Sequence, residues 1–302
     1  MKILVTGSTG QVGHEFTLLA QNSQHDILCF DRQRLDITDA AQVNEVMHRE
    51  QPQLVINCAA YTAVDKAESE TDQAFAINAT GPEYLAKACR DINAALIHIS
   101  TDYVFAGDTL SPYKESDPTG PTGVYGESKL AGEQAIAREL EQHIILRTAW
   151  VFGAHGNNFV KTMLLLGDER DELGVVADQW GAPTSAAGIA ACCLAIAEAI
   201  DEKDGGEIPW GIYHFSGAPY TSWHGFAEQI FATSVDIGLL KNAPKLNAIS
   251  SDQFPTPAKR PANSRLNCDK LFKAFEIHSD DWNTSLENVL KSIYQSSCQA
   301  FR

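Results

Sequence analysis

Positive charge is scarce in this sequence of 302 residues, in which 23 lysines and arginines stand against 39 aspartates and glutamates, giving a net charge of −16. The phosphates of a nucleic acid and the anionic lipids of a membrane surface would be repelled by such an excess of negative charge. We therefore expect neither a nucleic acid nor a membrane as a partner. A few local donors could still hold a small phosphorylated ligand.

Long apolar runs and paired cysteines are also missing. No stretch approaches the roughly 18 apolar residues that a helix needs to span a bilayer. The seven cysteines are scattered and form no pair of Cys-x-x-Cys motifs, which predicts reduced thiols in a reducing compartment. A strand pattern begins at Lys2, which leaves no room for a signal peptide. Together these features predict a cytoplasmic protein.

The motifs of two common chemistries are absent. The sequence has no His-Glu-x-x-His or other metal-ligand spacing, so it predicts no metal site. It has no Gly-x-Ser-x-Gly, so a hydrolase elbow lacks support. The nine histidines are dispersed. Among them, His98 lies in a predicted strand, and we interpret it as a packed or edge residue rather than a base.

Short apolar runs and helical patterns alternate in the first half of the chain, which is typical of βαβ units around a parallel sheet. The predicted strands lack polar alternation, as expected when helices cover both faces of a sheet. They span residues 3–5, 27–30, 54–56, 96–100 and 144–146, and the predicted helices span about 11–21, 39–49 and 70–90. The predicted fold class is α/β, a Rossmann-type doubly wound parallel sheet with a smaller, irregular α/β domain.

The alternation stops after Trp150, where stretches rich in proline and glycine, such as residues 181–184 and 255–257, separate helices without regular strands. We expect residues 1–150 to form a dinucleotide-binding domain and residues 151–302 to form mainly a substrate-binding domain. The helix predicted near residues 185–200 is apolar on most sides, so we expect it to pack back onto the sheet and complete the first domain.

A glycine-rich loop follows the first predicted strand and opens a helix. Glycines at this spacing permit a tight turn, the close approach of a pyrophosphate, and close packing of helix on strand. The helix N-terminus then offers free N–H groups and the positive end of its dipole to phosphates. The residues predicted to bind the cofactor here are Gly7, Gly10, Gln11, Val12 and Gly13.

The end of the second predicted strand bears on the choice between NADH and NADPH. Asp31 would accept hydrogen bonds from the ribose hydroxyls of the adenosine, which favours NADH. Arg32 and Arg34 oppose that preference, because either could neutralise a 2′-phosphate. Asp36 and Ile37 follow where the chain would cross toward the adenine. Asp36 could equally be a capping residue of the next helix.

A phenol and an amine lie four residues apart on one face of a predicted helix, at Tyr125 and Lys129. Tyrosine has an ordinary pKa near 10, and a neighbouring cation would lower that pKa toward the range useful for proton transfer. Thr101 ends the fourth strand, at the edge where open parallel sheets bind ligands, and would hydrogen-bond the substrate carbonyl or the tyrosine. Asp102 would either bond a sugar hydroxyl or serve as a turn residue.

Together these motifs resemble one family, the dTDP-4-dehydrorhamnose reductases of the extended short-chain dehydrogenase/reductase superfamily. The glycine loop has two residues between its first two glycines, as in that branch. The matching stretches are spread over nearly the whole chain. They are residues 7–13, 57–68, 100–105, 125–133, 147–152, 178–184 and 260–266.

The resemblance implies reduction of the 4-keto group of a dTDP-linked 6-deoxy-hexulose by NADH or NADPH, giving dTDP-L-rhamnose. It implies that Tyr125 donates the proton, that Lys129 holds the nicotinamide ribose and that Thr101 completes the triad.

Further roles follow from the same resemblance. Ala60, Tyr61 and Thr62 match its cofactor-contacting segment, and Asp102 and Trp150 match positions that meet the substrate sugar. Arg260 matches a position that faces the nucleotide, the alternative being a surface salt bridge.

Three points stay open at the level of sequence. Some relatives form dimers through a magnesium ion held by acidic side chains. Here the helix after Thr184 has no acid until Glu198, and Glu15 alone would not make such a site, so a metal-bridged dimer is doubtful and a homodimer of another kind is left open. A non-catalytic regulatory subunit on this fold is one alternative function. An epimerase or dehydratase that recycles bound NAD is another.

Overall fold

The computed structural model describes residues 1–202 and 208–300, with side chains described up to residue 296 in the second range. Its strands, in chain order, are β1 Lys2–Thr6, β2 Asp26–Phe30, β3 Leu54–Asn57, β4 Ala95–Thr101, β5 His143–Thr148, β6 Val151–Phe152, β7 Glu172–Val176, β8 Trp180–Gly181, β9 Thr184–Ser185, β10 Gly211–His214, β11 Thr221–Ser222 and β12 Lys245–Ile249.

The α-helices alternate with these strands. They are α1 Gln11–Leu19, α2 Ala40–Glu50, α3 Val64–Ala67, α4 Thr71–Phe75, α5 Gly81–Asp91, α6 Val124–Glu139, α7 Phe159–Glu169, α8 Ala186–Glu202, α9 Trp223–Asp236, α10 Asp269–Phe275 and α11 Trp282–Ala300. Single turns of other helix types lie at Ala76–Thr80 (π) and at Asp102–Val104 and Ser251–Gln253 (3₁₀).

Six parallel strands form the central sheet in the order β10-β5-β4-β3-β1-β2. Helices α1 and α8 bury apolar side chains against one face, among them Phe16 and Ile189. Helices α2, α5 and α6 cover the other face with residues such as Met47, Leu85 and Ile136. The predicted fold class is therefore confirmed: it is a parallel α/β sheet covered on both sides.

The strand β10 was missed from the sequence, although it extends the sheet beside β5. It has only four residues and begins at a glycine with φ +126°, so it carries neither the length nor the apolar run of a buried strand. The prediction that the second half lacks regular strands was also wrong for β7 and β12, which pair in parallel over five residues. A separate apolar cluster packs buried side chains of β6 and β7 against α7, α9 and α11.

The long helix predicted over residues 70–90 is instead α4, a π turn and α5. The π turn carries the carbonyl of Asn78 close to α6. A Cβ added at Gly132 of α6 would lie 2.1 Å from that carbonyl oxygen, so only glycine permits the approach. The helical pattern was predicted correctly. The π turn that interrupts it takes part in a tertiary contact with α6, which the local pattern does not encode.

The described residues bear on two further expectations. The six cysteines whose side chains the structure describes are free, and Cys298 lies outside that set. Within residues 1–202 and 208–300, no helix is long and apolar enough to cross a membrane.

A buried ion pair joins α6 to the sheet. Arg147 of β5 donates from Nη2 to Oε2 of Glu133 at 2.6 Å and from Nε to Oε1 at 2.9 Å, and both side chains are only 2% exposed. Ser100 of β4 donates to the same Oε1 at 2.5 Å. The carboxylate thus ties one helix to two neighbouring strands of the sheet.

We expect Arg147→Met to lower the free energy of unfolding by about 3–5 kcal/mol, because it leaves Glu133 as a buried charge without its partner. A double variant, Glu133→Gln with Arg147→Met, removes that charge and should be distinctly less destabilised. Urea unfolding of both variants and the wild type measures the difference. Equal loss in the single and double variants would contradict this account.

Candidate active site

The glycine turn brings the first strand, the third strand and helix α1 close together. Gly7 adopts φ +69°, and a Cβ there would lie 2.7 Å from the backbone nitrogen of Ala59. A Cβ on Gly13 would lie 2.1 Å from the carbonyl oxygen of Gly7. Gly10 is the N-cap of α1 and has no side chain to cap it, so the first N–H groups of the helix remain available. These groups suit a pyrophosphate.

Two adjoining cavities of about 230 and 470 Å³ extend from this turn and share Gly10, Cys58 and Ala60. The smaller one is also lined by Gly7, Arg32, Asp36 and Ile37. The larger one gathers residues from both halves of the chain. They include Gln11, Val12, Thr62, Thr101, Asp102, Tyr103, Tyr125, Lys129, Thr148 and Trp150. Most of the residues singled out in the sequence thus line one continuous cleft.

Three predicted cofactor residues lie beside this cleft rather than on its lining. Gly13 lies beneath the glycine turn. Asp31 Oδ1 accepts a hydrogen bond of 2.9 Å from the backbone N–H of Arg34 and so closes a turn. The Tyr61 hydroxyl donates to Glu70 at 2.8 Å, while its backbone exchanges hydrogen bonds with the side chain of Asn78. The flanking residues of Tyr61 line the cleft while its own ring packs away from it.

Arg260 forms an ion pair with Asp65, with 2.7 Å between Nη2 and Oδ2. Its Nη1 is buried and lacks a hydrogen-bond partner in the part of the chain that the structure describes. Asp65 also accepts from the backbone N–H of Ala258 at 3.1 Å. The pair therefore holds the segment around residue 260 against α3, next to Val64 at the rim of the larger cavity.

Tyr125 lies at the start of α6, with its ring edge-on to that of Tyr103 at 5.3 Å between centroids. Burial raises the pKa of the Tyr125 phenol to about 12, and the hydrogen bond with Thr101 offsets only part of that effect. The expected lowering of the phenol pKa by Lys129 does not prevail in this structure. The phenol accordingly keeps its proton at neutral pH.

Thr101 has a single hydroxyl proton, and it donates that proton to Asp102 Oδ1 at 3.0 Å. Its oxygen accepts from the backbone N–H of Tyr103 at 3.2 Å. Its hydroxyl also lies close enough to the Tyr125 phenol to lower the pKa of that phenol. Of its two predicted partners, the structure therefore brings Thr101 to the tyrosine.

Lys129 is 1% exposed, and burial lowers the pKa of its amine to about 8, with Glu133 and Cys58 acting in the opposite direction. Its Nζ donates to the carbonyl oxygen of Ile99 at 2.7 Å and lies 3.1 Å from Nε2 of His98. The sequence interpretation of His98 as a packed residue missed this contact. Strand alternation places residues 98 and 100 on one face of β4, and that signal could have found it.

Two buried polar atoms near the phenol lack partners within the described residues: Oδ2 of Asp102 and Oγ1 of Thr148. Burial raises the pKa of Asp102 to about 6. Native proteins seldom leave buried polar groups unpaired, so these atoms indicate where hydroxyls of a ligand would bind. Thr148 was not singled out in the sequence, because a strand-end threonine carries no distinguishing signal.

Trp150 adopts φ +50°, an unusual conformation for a large side chain. Its indole stacks on that of Trp223 with 3.6 Å between ring centroids. A Cβ on Gly181 would lie 2.5 Å from the Trp150 ring, so glycine is required beside it. The stack holds the Trp150 indole in the lining of the larger cavity.

Within residues 1–202 and 208–300, no three His, Cys, Asp or Glu side chains are grouped so that they could hold a metal ion.

Comparisons with known proteins agree over nearly the full length. The family model for the RmlD substrate binding domain matches residues 1–295. A dTDP-4-dehydrorhamnose reductase from Aggregatibacter actinomycetemcomitans is 46% identical over 289 residues, covering 95% of this chain and 98% of that protein. The glycine turn, Tyr125 and Arg260 all lie within the residues that the family model matches.

Solved structures give the same result. A dTDP-4-dehydrorhamnose reductase from Clostridium acetobutylicum has a TM-score of 0.88 and 39% identity, covering 97% of this chain and 100% of that chain. A dTDP-4-dehydrorhamnose reductase from Bacillus anthracis, in complex with NADP, has a TM-score of 0.87 and 37% identity, covering 96% and 99%.

The raised pKa of Asp102 leads to a prediction about how the stability of the protein changes with pH. The folded protein holds this carboxyl proton to about pH 6, whereas the unfolded chain releases it near pH 3.8, so the wild type loses stability as the pH rises through 6. We expect Asp102→Asn to match the wild type near pH 4 and to be more stable by about 2–3 kcal/mol above pH 7.

Urea unfolding at pH 4 and pH 8 measures this difference. The exposed Asp26→Asn serves as the matched control for the change from acid to amide. A stability difference between Asp102→Asn and the wild type that is the same at both pH values would rule out the raised pKa.

Proposed function

This chain belongs to the dTDP-4-dehydrorhamnose reductase family, and from that premise we propose that it reduces the 4-keto group of dTDP-4-dehydro-6-deoxy-L-mannose to dTDP-L-rhamnose. The observation that carries the proposal is the convergence of Tyr125, Lys129 and Thr101 on the cavity that adjoins the glycine turn. The reaction would belong to nucleotide-sugar synthesis for cell-surface polysaccharides. Its place would be the cytoplasm, where reduced thiols persist.

The residues of the cleft fit a nicotinamide dinucleotide. The uncapped N–H groups at the start of α1 would hold the pyrophosphate, and Asp36 and Ile37 would flank the adenosine in the smaller cavity. The amine of Lys129 would reach the nicotinamide ribose. NADH or NADPH, when bound, supplies the hydride. Asp31 and Tyr61 would contribute to cofactor binding indirectly, because their hydrogen bonds hold neighbouring backbone segments in place.

The protein's part in the reaction is to deliver a proton. As the carbonyl carbon gains hydride, its oxygen gains negative charge, and Tyr125 donates the phenol proton to that oxygen. The raised pKa of Tyr125 suits this direction, because the acid must arrive protonated. Thr101, whose hydroxyl contacts the phenol and donates to Asp102, would orient the tyrosine toward that oxygen.

The substrate would lie between the two parts of the chain. Asp102 and Thr148 would bond sugar hydroxyls through their unpartnered oxygens, and Trp150 would pack against the sugar. Arg260 would face the nucleotide with its buried, unpartnered Nη1. In this arrangement residues 1–150, with α8, bind mainly the cofactor, and residues 151–302 bind mainly the substrate.

The test is oxidation of NADH or NADPH in the presence of dTDP-4-dehydrorhamnose. We expect stoichiometric consumption, with kcat lowered at least about 100-fold in Tyr125→Phe because the general acid is lost. Tyr103→Phe is the matched control, a second phenol in the same cavity, and should lose less than about tenfold.

Two results would refute the proposal in favour of a specific rival. Tight cofactor binding with no turnover would support a regulatory subunit. Conversion of a nucleotide sugar without net consumption of added NADH or NADPH would support an epimerase or dehydratase.

The residues at the rim of the smaller cavity lead to a prediction about the choice between NADH and NADPH. Arg32 lies there with an exposed guanidinium, 3.0 Å from Asp36, whereas Arg34 stacks over Phe30 and donates to the backbone of Cys29. Of these two arginines Arg32 lines the cavity, so its guanidinium is the one placed to meet a 2′-phosphate. We expect Arg32→Ala to raise the KM for NADPH about tenfold, in keeping with one charge-assisted hydrogen bond, and to change the KM for NADH less than about twofold.

Arg34→Ala is the matched control, since it removes a neighbouring guanidinium that does not line the cavity. Equal changes in KM for both cofactors in Arg32→Ala would contradict the assignment.

A further inference from the structure

The loop that follows β6 packs against the start of α1, where Gly156 of the loop and Gln11 of the helix both line the larger cavity. Gly156 has φ +69°, and a Cβ added there would lie 3.0 Å from Cγ of Gln11. Asn158, at the end of the loop, donates from Nδ2 to Oε1 of Gln11 at 2.9 Å, although the two residues are 147 apart in the chain. The contact therefore links the second half of the chain to the helix that begins at the glycine turn.

Two backbone groups fix the orientation of the Asn158 amide. Its Oδ1 accepts from the backbone N–H of Lys161 at 3.2 Å, and its Nδ2 donates to the carbonyl oxygen of Gly153 at 2.8 Å. A backbone N–H can only donate and a carbonyl oxygen can only accept, so the oxygen and nitrogen of this amide cannot exchange places. The second N–H of Nδ2 is the one that Gln11 accepts.

The fixed amide of Asn158 determines the orientation of the Gln11 amide in turn. Because Gln11 must accept from Nδ2 of Asn158, its oxygen is engaged and its Nε2 lies on the other arm of the amide. In the part of the chain that the structure describes, Nε2 of Gln11 has no hydrogen-bond partner. The two N–H groups of this nitrogen are therefore available to a ligand in the cavity that Gln11 lines.

The position of these donors favours a pyrophosphate as that ligand. Gln11 is the first residue of α1, beside Gly10, which caps the helix without a side chain and leaves its first backbone N–H groups unpaired. Amide N–H groups next to a helix N-terminus strengthen a site for negative charge, and hydrogen bonds to a charged acceptor are stronger than neutral ones. A reversed Gln11 amide would present its oxygen to the phosphates and repel them.

We propose that Asn158 is a positioning residue for cofactor binding, because it holds the Gln11 amide with its N–H groups toward the pyrophosphate of NADH or NADPH. This inference rests on the proposed function, which names the cofactor. It adds to the cofactor site a residue from the half of the chain that would bind mainly the substrate.

The first test measures cofactor affinity by isothermal titration calorimetry and needs no turnover. Asn158→Ser keeps an oxygen that can cap α7 but removes the N–H donors that fix Gln11. We expect the Kd for the preferred cofactor to rise about fivefold to tenfold, in keeping with one charge-assisted hydrogen bond. The same increase is expected for ADP-ribose or its 2′-phosphate, which retain the pyrophosphate and lack the nicotinamide. An unchanged Kd, or an increase confined to the complete cofactor, would overturn the inference.

The second test determines whether Asn158 acts through Gln11. Gln11→Ala should itself raise the Kd about tenfold, and adding Asn158→Ser should change it less than about twofold further, because the amide that Asn158 positions is gone. If the increase in the double variant equals the product of the two single increases, Asn158 acts independently of Gln11 and the inference fails.

Ser222→Ala is the matched control, since Ser222 is the N-cap of α9 and accepts from the backbone N–H of Gly225. It should lower the midpoint of urea unfolding and leave the Kd for the cofactor unchanged.

The outcomes separate this inference from the proposed function. If the wild type binds the cofactor and reduces the keto-sugar but Asn158→Ser keeps the wild-type Kd, the inference fails and the proposed function stands. If the wild type binds the cofactor without reducing the keto-sugar, the proposed function fails and the Kd values still decide the role of Asn158. If it binds neither NADH nor NADPH, both fail.

Discussion

The position of the reacting phenol depends on how helix α6 is fixed against strand β4. Two buried side chains of α6, Lys129 and Glu133, meet polar groups of the sheet, and Tyr125 lies on the same helical stripe one turn earlier. These contacts are buried, so a polar atom that lost its partner would carry a large free-energy cost. The helix is therefore fixed by the same stripe of side chains that carries its chemistry.

Hydrogen-bond direction does more than distance to separate the roles in this site. Thr101 and Tyr125 both have hydroxyls, but Thr101 has already committed its proton to Asp102, so the phenol remains the donor toward a ligand. Burial adds to this effect, because it raises the pKa of the phenol to about 12.

The sequence predicted the parts of the fold that depend on short-range patterns. Apolar runs located the five strands of the first half, and Gly7, Gly10 and Gly13 located the turn because their spacing has a local steric meaning. The short strand β10 escaped, since four residues with a leading glycine are defined by pairing with β5 rather than by their own pattern. The π turn at Ala76–Thr80 escaped for a similar reason, because its close contact with Gly132 on another helix leaves no mark in the local pattern.

The candidate site also divides into residues that a motif predicts and residues that only the folded structure brings together. Among the residues that line the cleft, Tyr125 and Lys129 were predicted because they belong to a motif. Asp31 and Tyr61 also have motif positions, but their side chains make local hydrogen bonds beside the cleft. His98 and Asn57 meet only in three dimensions, 41 residues apart in the chain, and nothing in a strand sequence reveals which amide atom faces which ring atom.

The stacked indoles of Trp150 and Trp223 join the end of β5 to helix α9. Any motion that widened the cleft between the sheet and that helix would have to slide or separate the two rings, which now lie nearly parallel at van der Waals distance. The absorption and emission of an indole respond to a neighbouring π system. The absorption and fluorescence of this tryptophan pair therefore depend on the width of the cleft.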